Sequence, residues 1–145
     1  MIEILEVPHG TPLYEELTAL RQALLRTPLG MKYTPADLAE EKDDIHIAAR
    51  EDGRIIGSAL LKIIDAQTGE LKRMAVADGL QGRGVGKLLL TYVEDRARAL
   101  GHNRLMMHAR EAAWDFYERM GYRRYGDTFI QATLLHVKME KILET

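Results

Sequence analysis

The sequence predicts an α/β (α+β) protein in which about seven strands and their helices follow the order β-α-α-β-β-β-α-β-α-β-β. Three observations carry that prediction. Apolar, β-branched residues fall into short runs bounded by turn residues, as strands require. Between these runs lie stretches with apolar residues at helical spacing. A glycine cluster, Gln81-Gly82-Arg83-Gly84-Val85-Gly86, joins one strand directly to the longest helical stretch. The 145 residues, 46% hydrophobic, are the size of a single domain (1–145) with a real core, and no Pro/Gly/Ser-rich linker divides them.

Ile2, Ile4 and Val7 predict a short first strand. Thr11-Pro12 offers an N-cap with proline at the first helical position, ahead of Leu13, Leu17, Leu20 and Leu24, and this helix ends near Pro28-Leu29-Gly30. Thr34-Pro35 repeats the signal for a shorter helix to about Glu41, closed by the acidic run Glu40, Glu41, Asp43 and Asp44. Residues 45–50 and 54–64 flank Glu51-Asp52-Gly53, and Asp-Gly between two β-branched runs predicts a hairpin. Asp65-Ala66-Gln67-Thr68-Gly69 makes the next turn and leads into a strand over 70–77. Beyond the glycine cluster, Val85, Leu88, Leu89, Tyr92, Val93, Ala97 and Leu100 share one face of a helix that runs from about Gly84 to Gly101. A strand over 104–109, a helix over 111–120 and a closing pair of strands over 122–128 and 134–141 complete the chain.

Composition excludes several classes of function. No cysteine is present, so disulfides, thiolate metal sites and a cysteine nucleophile are excluded, and a reducing, cytoplasmic setting is expected. The first ten residues lack the pattern of a secretory leader and no long apolar run appears, so no membrane association is expected. Five scattered histidines show neither H-x-x-H nor H-E-x-x-H spacing, which argues against a metal site. A net charge of −2 without an aromatic-interleaved basic stripe argues against nucleic acid. The charge is unevenly divided: residues 1–70 hold 7 Lys/Arg against 13 Asp/Glu, and residues 71–145 hold 13 against 9. Chance distribution over solvated faces accounts for such an imbalance; alternatively, the second half would suit an anionic cofactor and the first a cationic amine.

In the glycine cluster, Gly82, Gly84 and Gly86 alternate just before a helix start. Glycines there give backbone freedom and close access to free N–H groups, at the end of the helix where the macrodipole favours an anion. Phosphate or pyrophosphate is the expected guest. A P-loop is excluded because Lys87 is followed by Leu88 rather than a hydroxyl residue. A dinucleotide fingerprint is excluded because its third glycine would fall at Lys87, and no carboxylate lies around 104–107.

Gln-x-x-Gly-x-Gly after a strand is instead similar to the acyl-coenzyme A loop of the GNAT superfamily of N-acetyltransferases. The run Ala112-Ala113-Trp114-Asp115-Phe116-Tyr117-Glu118-Arg119-Met120-Gly121-Tyr122 resembles that family's second hallmark, A-x-x-F-Y-x-x-x-G-[FY]. Two motifs in the right order are specific, and the likeness extends from about Ile45 to the C-terminus. It implies a three-layer α/β/α fold whose mixed sheet has parallel central strands that splay to admit a pantetheine arm. The early helical pair and its loop would shape the acceptor pocket, and the late strands often dimerise in the family, so a homodimer is an expectation.

The implied activity is transfer of acetyl from acetyl-CoA to a primary amine of a small molecule or peptide, by direct attack. The main chain of Met74, Ala75 and Val76 would pair with pantetheine. Gln81, Gly82, Arg83, Gly84, Val85, Gly86 and Lys87 would hold the pyrophosphate, Arg83 and Lys87 adding charge. Tyr117 occupies the position that members commonly use as general acid. Of the two family placements for a general base, Glu70, six residues before Val76, matches the first. The second is filled by Leu105 where a glutamate would stand and by Arg110 in place of an asparagine. His108 and His136 are further candidates for proton relay. The competing reading is a non-catalytic acyl-CoA sensor or interaction module, which Leu105 and Arg110 favour.

Overall fold

The computed structural model describes residues 1–144, and its elements follow the order expected from the sequence. Seven strands, β1 (Ile2–Glu6), β2 (Ile45–Glu51), β3 (Arg54–Ile63), β4 (Thr68–Val76), β5 (Arg104–Arg110), β6 (Arg123–Gln131) and β7 (Leu134–Ile142), form one sheet ordered β1-β2-β3-β4-β5-β7-β6. Neighbours are antiparallel except the central pair β4 and β5, which run parallel. The helices are α1 (Pro12–Arg21), α2 (Pro35–Glu40), α3 (Val85–Ala99) and α4 (Trp114–Arg119).

Side-chain alternation produces the layers. Along β2, Ile47 and Ala49 join the core that holds Val85, Leu89, Leu90 and Val93 of α3, whereas Ala48 joins a second core with Tyr14 and Leu17 of α1. The sheet is thus covered on both faces, and β3 is buried without a break from Ile55 to Leu61. Each buried Leu or Val of α3 contributes about 1.5–3 kcal/mol, so burial rather than helix propensity fixes that helix on the sheet.

Both threonine caps form. Thr11 accepts from the Tyr14 N–H, and Thr34 and Asp37 make a reciprocal capping box. Helix α1 continues through a π-helical turn, Gln22–Arg26, and a 3-10 turn, Thr27–Leu29, before stopping at Gly30. Several boundaries differ from expectation, among them the start of β4 at Thr68, inside the turn expected over 65–69. The helix expected over 111–120 begins as a 3-10 turn, Glu111–Ala113, with α4 behind it. Strand β6 runs on past 128 to Gln131, because its hairpin turn is Ala132–Thr133, with φ of +48° and +66° and no Gly, Asn or Asp to announce it. Gly126 instead lies in an irregularity where the pairing jumps from Tyr125↔Lys138 to Phe129↔His136.

Beneath α1 lies a buried polar cluster. Arg21 donates from Nε to Ser58 Oγ (2.7 Å), from Nη2 to the Ala59 carbonyl (2.9 Å) and from Nη1 to His46 Nδ1 (3.0 Å), with Glu41 Oε1 at 3.4 Å. Tyr14 donates its hydroxyl to Glu41 at 2.7 Å, and His46 Nε2–H donates to the Glu41 carbonyl at 2.8 Å. Burial, reinforced by the Arg21 cation, pushes the His46 pKa down to about 4. Between about pH 6.5 and this value the unfolded chain binds a proton that the folded chain refuses. Stability therefore falls as pH drops through that window, by on the order of 3 kcal/mol. Thermal melts from pH 7.5 to 4.5 should show a shallower acid loss for His46→Gln than for the parent; equal slopes would remove His46 from the acid response.

Candidate active site

Strands β4 and β5 pair only from Thr68↔Arg104 to Leu71↔Met107. Beyond that point β4 continues to Val76 bonded to β3 alone, and β5 continues to Arg110 bonded to β7. The sheet opens between them. On its other side β4 bulges, since the pairing passes from Leu60↔Lys72 to Ser58↔Ala75 with one extra residue on β4. Arg73 takes up the excess at φ +55°, and the Ser58 hydroxyl donates to its carbonyl at 2.8 Å.

A cleft of about 790 Å³ lies at the opening. Its walls include Met74, Ala75 and Val76 from β4 and Gln81, Gly82, Gly84, Val85, Gly86 and Lys87 from the glycine loop. Gly84 caps α3 at φ +83°, a conformation that costs side-chain-bearing residues energy. The first intrahelical bond runs from the Leu88 N–H to the Gly84 carbonyl (3.0 Å), so the N–H groups of Val85, Gly86 and Lys87 have no intrahelical acceptor. They stand at the positive end of a 15-residue helix.

Two loop side chains are otherwise engaged. Gln81 folds back to accept from the Gly79 N–H and to donate to the Val76 carbonyl, both at 3.0 Å, so it shapes the loop. Arg83 forms a bidentate pair with Glu51 of β2 at 2.8 and 3.0 Å and does not line the cleft. Lys87 is exposed and does line it.

A second cleft, of about 290 Å³, meets the first at Met74, Arg110, Ala113, Tyr117 and Leu134. Tyr117 is buried at this junction, its ring held edge-on by Phe116 (5.3 Å) and Tyr122 (5.9 Å). Burial pushes its pKa well above the ordinary phenol value, only partly offset by Arg110, and the hydroxyl stays protonated at neutral pH. Glu70 lines the second cleft, half-buried, with its carboxylate 4.0 Å from His108 Nε2. His108 Nδ1–H donates to Gln131 Oε1 at 2.8 Å, which leaves Nε2 facing Glu70 with its lone pair.

His136 also reaches this cleft; it stacks on Phe129 and donates from Nδ1 to the Leu134 carbonyl at 2.8 Å. Leu105 is fully buried in the core, whereas Arg110 stands where the clefts join.

The segment after α1 supplies Leu25, Arg26, Leu29 and Tyr33 to the second cleft. An acidic character, which would suit a cationic amine, is absent from this cleft. The lining carries Arg26, Lys72, Arg73 and Arg110 against the single carboxylate of Glu70, and none of the acidic residues of 37–44 reaches it; of these, Asp37 caps α2 and Glu41 sits in the buried cluster. Sequence reasoning singled out Arg110 but missed Arg26, Lys72 and Arg73. Alternation puts Lys72 on the face of Glu70, but only the bulge brings Arg73 to the same wall. Among the described residues no three His, Asp or Glu side chains are grouped to hold a metal, and no helix is long and apolar enough to cross a membrane.

A model of the acetyltransferase (GNAT) domain matches residues 28–143. A Bacillus subtilis protein named as an acetyltransferase is 29% identical over 96 residues, 66% of this chain and 65% of that protein, so the chain spans just under two thirds of that relative's length. The crystal structure of a Lactobacillus plantarum protein described as an N-acetyltransferase superposes with a TM-score of 0.86 at 23% identity, covering 99% of both chains. A GNAT acetyltransferase from Elizabethkingia anophelis, with acetyl-CoA bound, superposes with a TM-score of 0.74 at 20% identity, covering 98% of both chains. At such identities the superpositions establish the fold alone, while the domain match covers most of the sequence. The chain belongs to the GNAT acetyltransferase domain family.

Proposed function

We propose that this protein transfers an acetyl group from acetyl-CoA to a primary amine of a small molecule or peptide, in the cytoplasm that its cysteine-free sequence suits. The observation that carries the reading is the meeting of two clefts, one of cofactor size beside free helix N–H groups, at a buried phenol. The open edge of Met74, Ala75 and Val76 bonds the amides of pantetheine, and the N–H groups of 85–87 receive the pyrophosphate. The acceptor enters the second cleft. Its nitrogen, deprotonated by Glu70 directly or through water or His108, attacks the thioester carbonyl carbon. The C–N bond forms, the C–S bond breaks, and the thiolate takes the proton of Tyr117, which is restored from solvent. The junction at Tyr117 favours this over a non-catalytic acyl-CoA sensor, the reading that Leu105 and Arg110 would otherwise support. Incubating the protein with acetyl-CoA and an amine panel, read by mass spectrometry, separates the two: acetyl-CoA binding without any acetylated amine would sink the enzymatic reading.

Cofactor affinity is expected to depend on the loop backbone. Gly84→Val must hold φ near +83°, and a side chain at Gly86 projects toward Phe116, 3.4 Å from the new Cβ, and into the cleft. Each should weaken acetyl-CoA binding by roughly tenfold or more, about 1.4 kcal/mol, and Gln81→Ala by much less. Calorimetric titration reads this directly, and unchanged affinity in both glycine variants would discard the cofactor assignment. For the base, Glu70→Gln is expected to lower turnover chiefly at acidic pH, where amine deprotonation is hardest, with acetyl-CoA affinity intact. A pH–rate profile superimposable on the parent would pass the role to His108, His136 or bulk water.

A further inference from the structure

We propose that the acceptor is a small amine that also carries an anionic group, a carboxylate or a phosphate, and that Arg26 and Arg73 bind that group. The inference rests on the acetyl-transfer reading and names the substrate class of the same site. An acceptor cleft of about 290 Å³ is at the small end of ligand pockets, which commonly measure about 300–1,000 Å³. Four cationic side chains and one carboxylate line it. A purely cationic amine would meet net repulsion there, since Glu70 is the one countercharge and its task is to receive a proton.

Arg26 and Arg73 both lie over the Tyr33 ring, at 4.7 and 4.9 Å from its centroid. The aromatic ring holds two like charges together that would otherwise separate. Arg73 is half-compensated by Glu41 at 3.4 Å, which also fixes its orientation. Arg26, Lys72 and Arg110 have no carboxylate within 4 Å among the described residues. Asp37 feels both guanidinium groups, yet it accepts from the Thr34 N–H and lines no part of the cleft. Two planar forks, half-buried and short of acceptors, are the arrangement that binds a carboxylate or phosphate. Arg26 and Arg73 touch only the second cleft, so their charge serves the acceptor rather than acetyl-CoA. The amine would lie toward Glu70 and His108 with the anion toward Tyr33.

The test is steady-state kinetics with acetyl-CoA and matched pairs: glycine, β-alanine, γ-aminobutyrate and aspartate each against its amide, and phosphoethanolamine against ethanolamine. At least one anionic amine should exceed its neutral partner in kcat/KM by tenfold or more; the pair that does so separates carboxylate from phosphate. Arg26→Glu should cost that substrate tenfold or more, chiefly in KM, and raise kcat/KM for the neutral partner relative to it, with KM for acetyl-CoA within twofold. Circular dichroism of the variant verifies that it is folded, and Arg26→Gln, which removes the charge without reversing it, should fall between. If neutral or polycationic amines are acetylated in preference to every anionic one, this inference is overturned while acetyl transfer stands. If no amine reacts although acetyl-CoA binds, the enzymatic reading falls and this one with it. If Arg26→Glu and Arg26→Gln leave the preference for the anionic amine unchanged, the assignment to Arg26 and Arg73 is wrong.

Discussion

Tyr117→Phe is expected to lower turnover by roughly 10²–10⁴-fold, the usual worth of a positioned acid, with acetyl-CoA affinity and melting temperature close to those of the parent. The ring is what the structure packs: it lies edge-on to Phe116 and Tyr122 in the core, and phenylalanine keeps all of that contact. Burial acts on the hydroxyl without a hydrogen bond to any described side chain, so its removal leaves no buried partner unsatisfied. The same burial bears on the chemistry. A phenol of ordinary pKa about 10 is slightly uphill as a donor to a thiolate whose acid is about 8.5, and burial raises the phenol further. The departing thiolate leaves into the same desolvated junction, where its own basicity rises by the same cause. Stopped assays of kcat beside calorimetry and thermal melts separate the roles. A turnover within about twofold of the parent makes Tyr117 a wall residue and water the acid; a joint collapse of kcat and melting temperature makes the hydroxyl structural.

Arg21→Ala is expected to cost about 3–5 kcal/mol of stability, the usual consequence of removing one member of a buried ion pair, or a fall of ~10 °C or more in Tm for a chain of this size. Arg21 is 1% exposed and makes close polar contacts with Glu41, His46, Ser58 and the Ala59 carbonyl. Its loss leaves Glu41, itself buried, with the Tyr14 hydroxyl at 2.7 Å and the half-buried Arg73 at 3.4 Å. The double variant Arg21→Met with Glu41→Leu removes both charges and should recover part of that loss. The contact also reaches the site. Arg21 holds Ser58, and Ser58 holds the carbonyl of Arg73 in the β4 bulge, so Arg21→Ala should also reduce kcat at temperatures where the protein remains folded. A stability loss under ~1 kcal/mol would mean that water or rearrangement satisfies the cluster, and the expectation would be withdrawn.

The order of elements could be read because its signals are local. Thr11-Pro12 and Thr34-Pro35 cap helices, Asp52-Gly53 turns a hairpin, and three alternating glycines open a helix, each through interactions within a few residues. The residues of the larger cleft could be grouped for the same reason: β4, loop and α3 are contiguous, and all of Met74, Ala75, Val76, Gln81, Gly82, Gly84, Val85, Gly86 and Lys87 line it. Where the local signal was missing, the reading failed. The Ala132–Thr133 turn takes left-handed φ without a residue that prefers it, because β6 and β7 pair on both sides and outweigh the local cost. Arg83 shows the other limit, for composition cannot tell a cation beside a loop from one turned 32 residues back to Glu51.

The sequence by itself determined the α/β order and the backbone of the glycine loop, since periodicity, caps and glycine spacing are properties of neighbouring residues, while its two motifs carried the resemblance to the family. Only the tertiary structure decided the character of the second cleft. Its walls come from the segment after α1, from β4 past a bulge and from β5 and the β6–β7 hairpin, parts that are distant in sequence. Half-chain charge counts do not say which side chains meet: folding places Asp37 in a cap and Glu41 on Arg21 while it gathers four cations around one carboxylate. Charge acts through distance and burial, and neither is written in the order of residues.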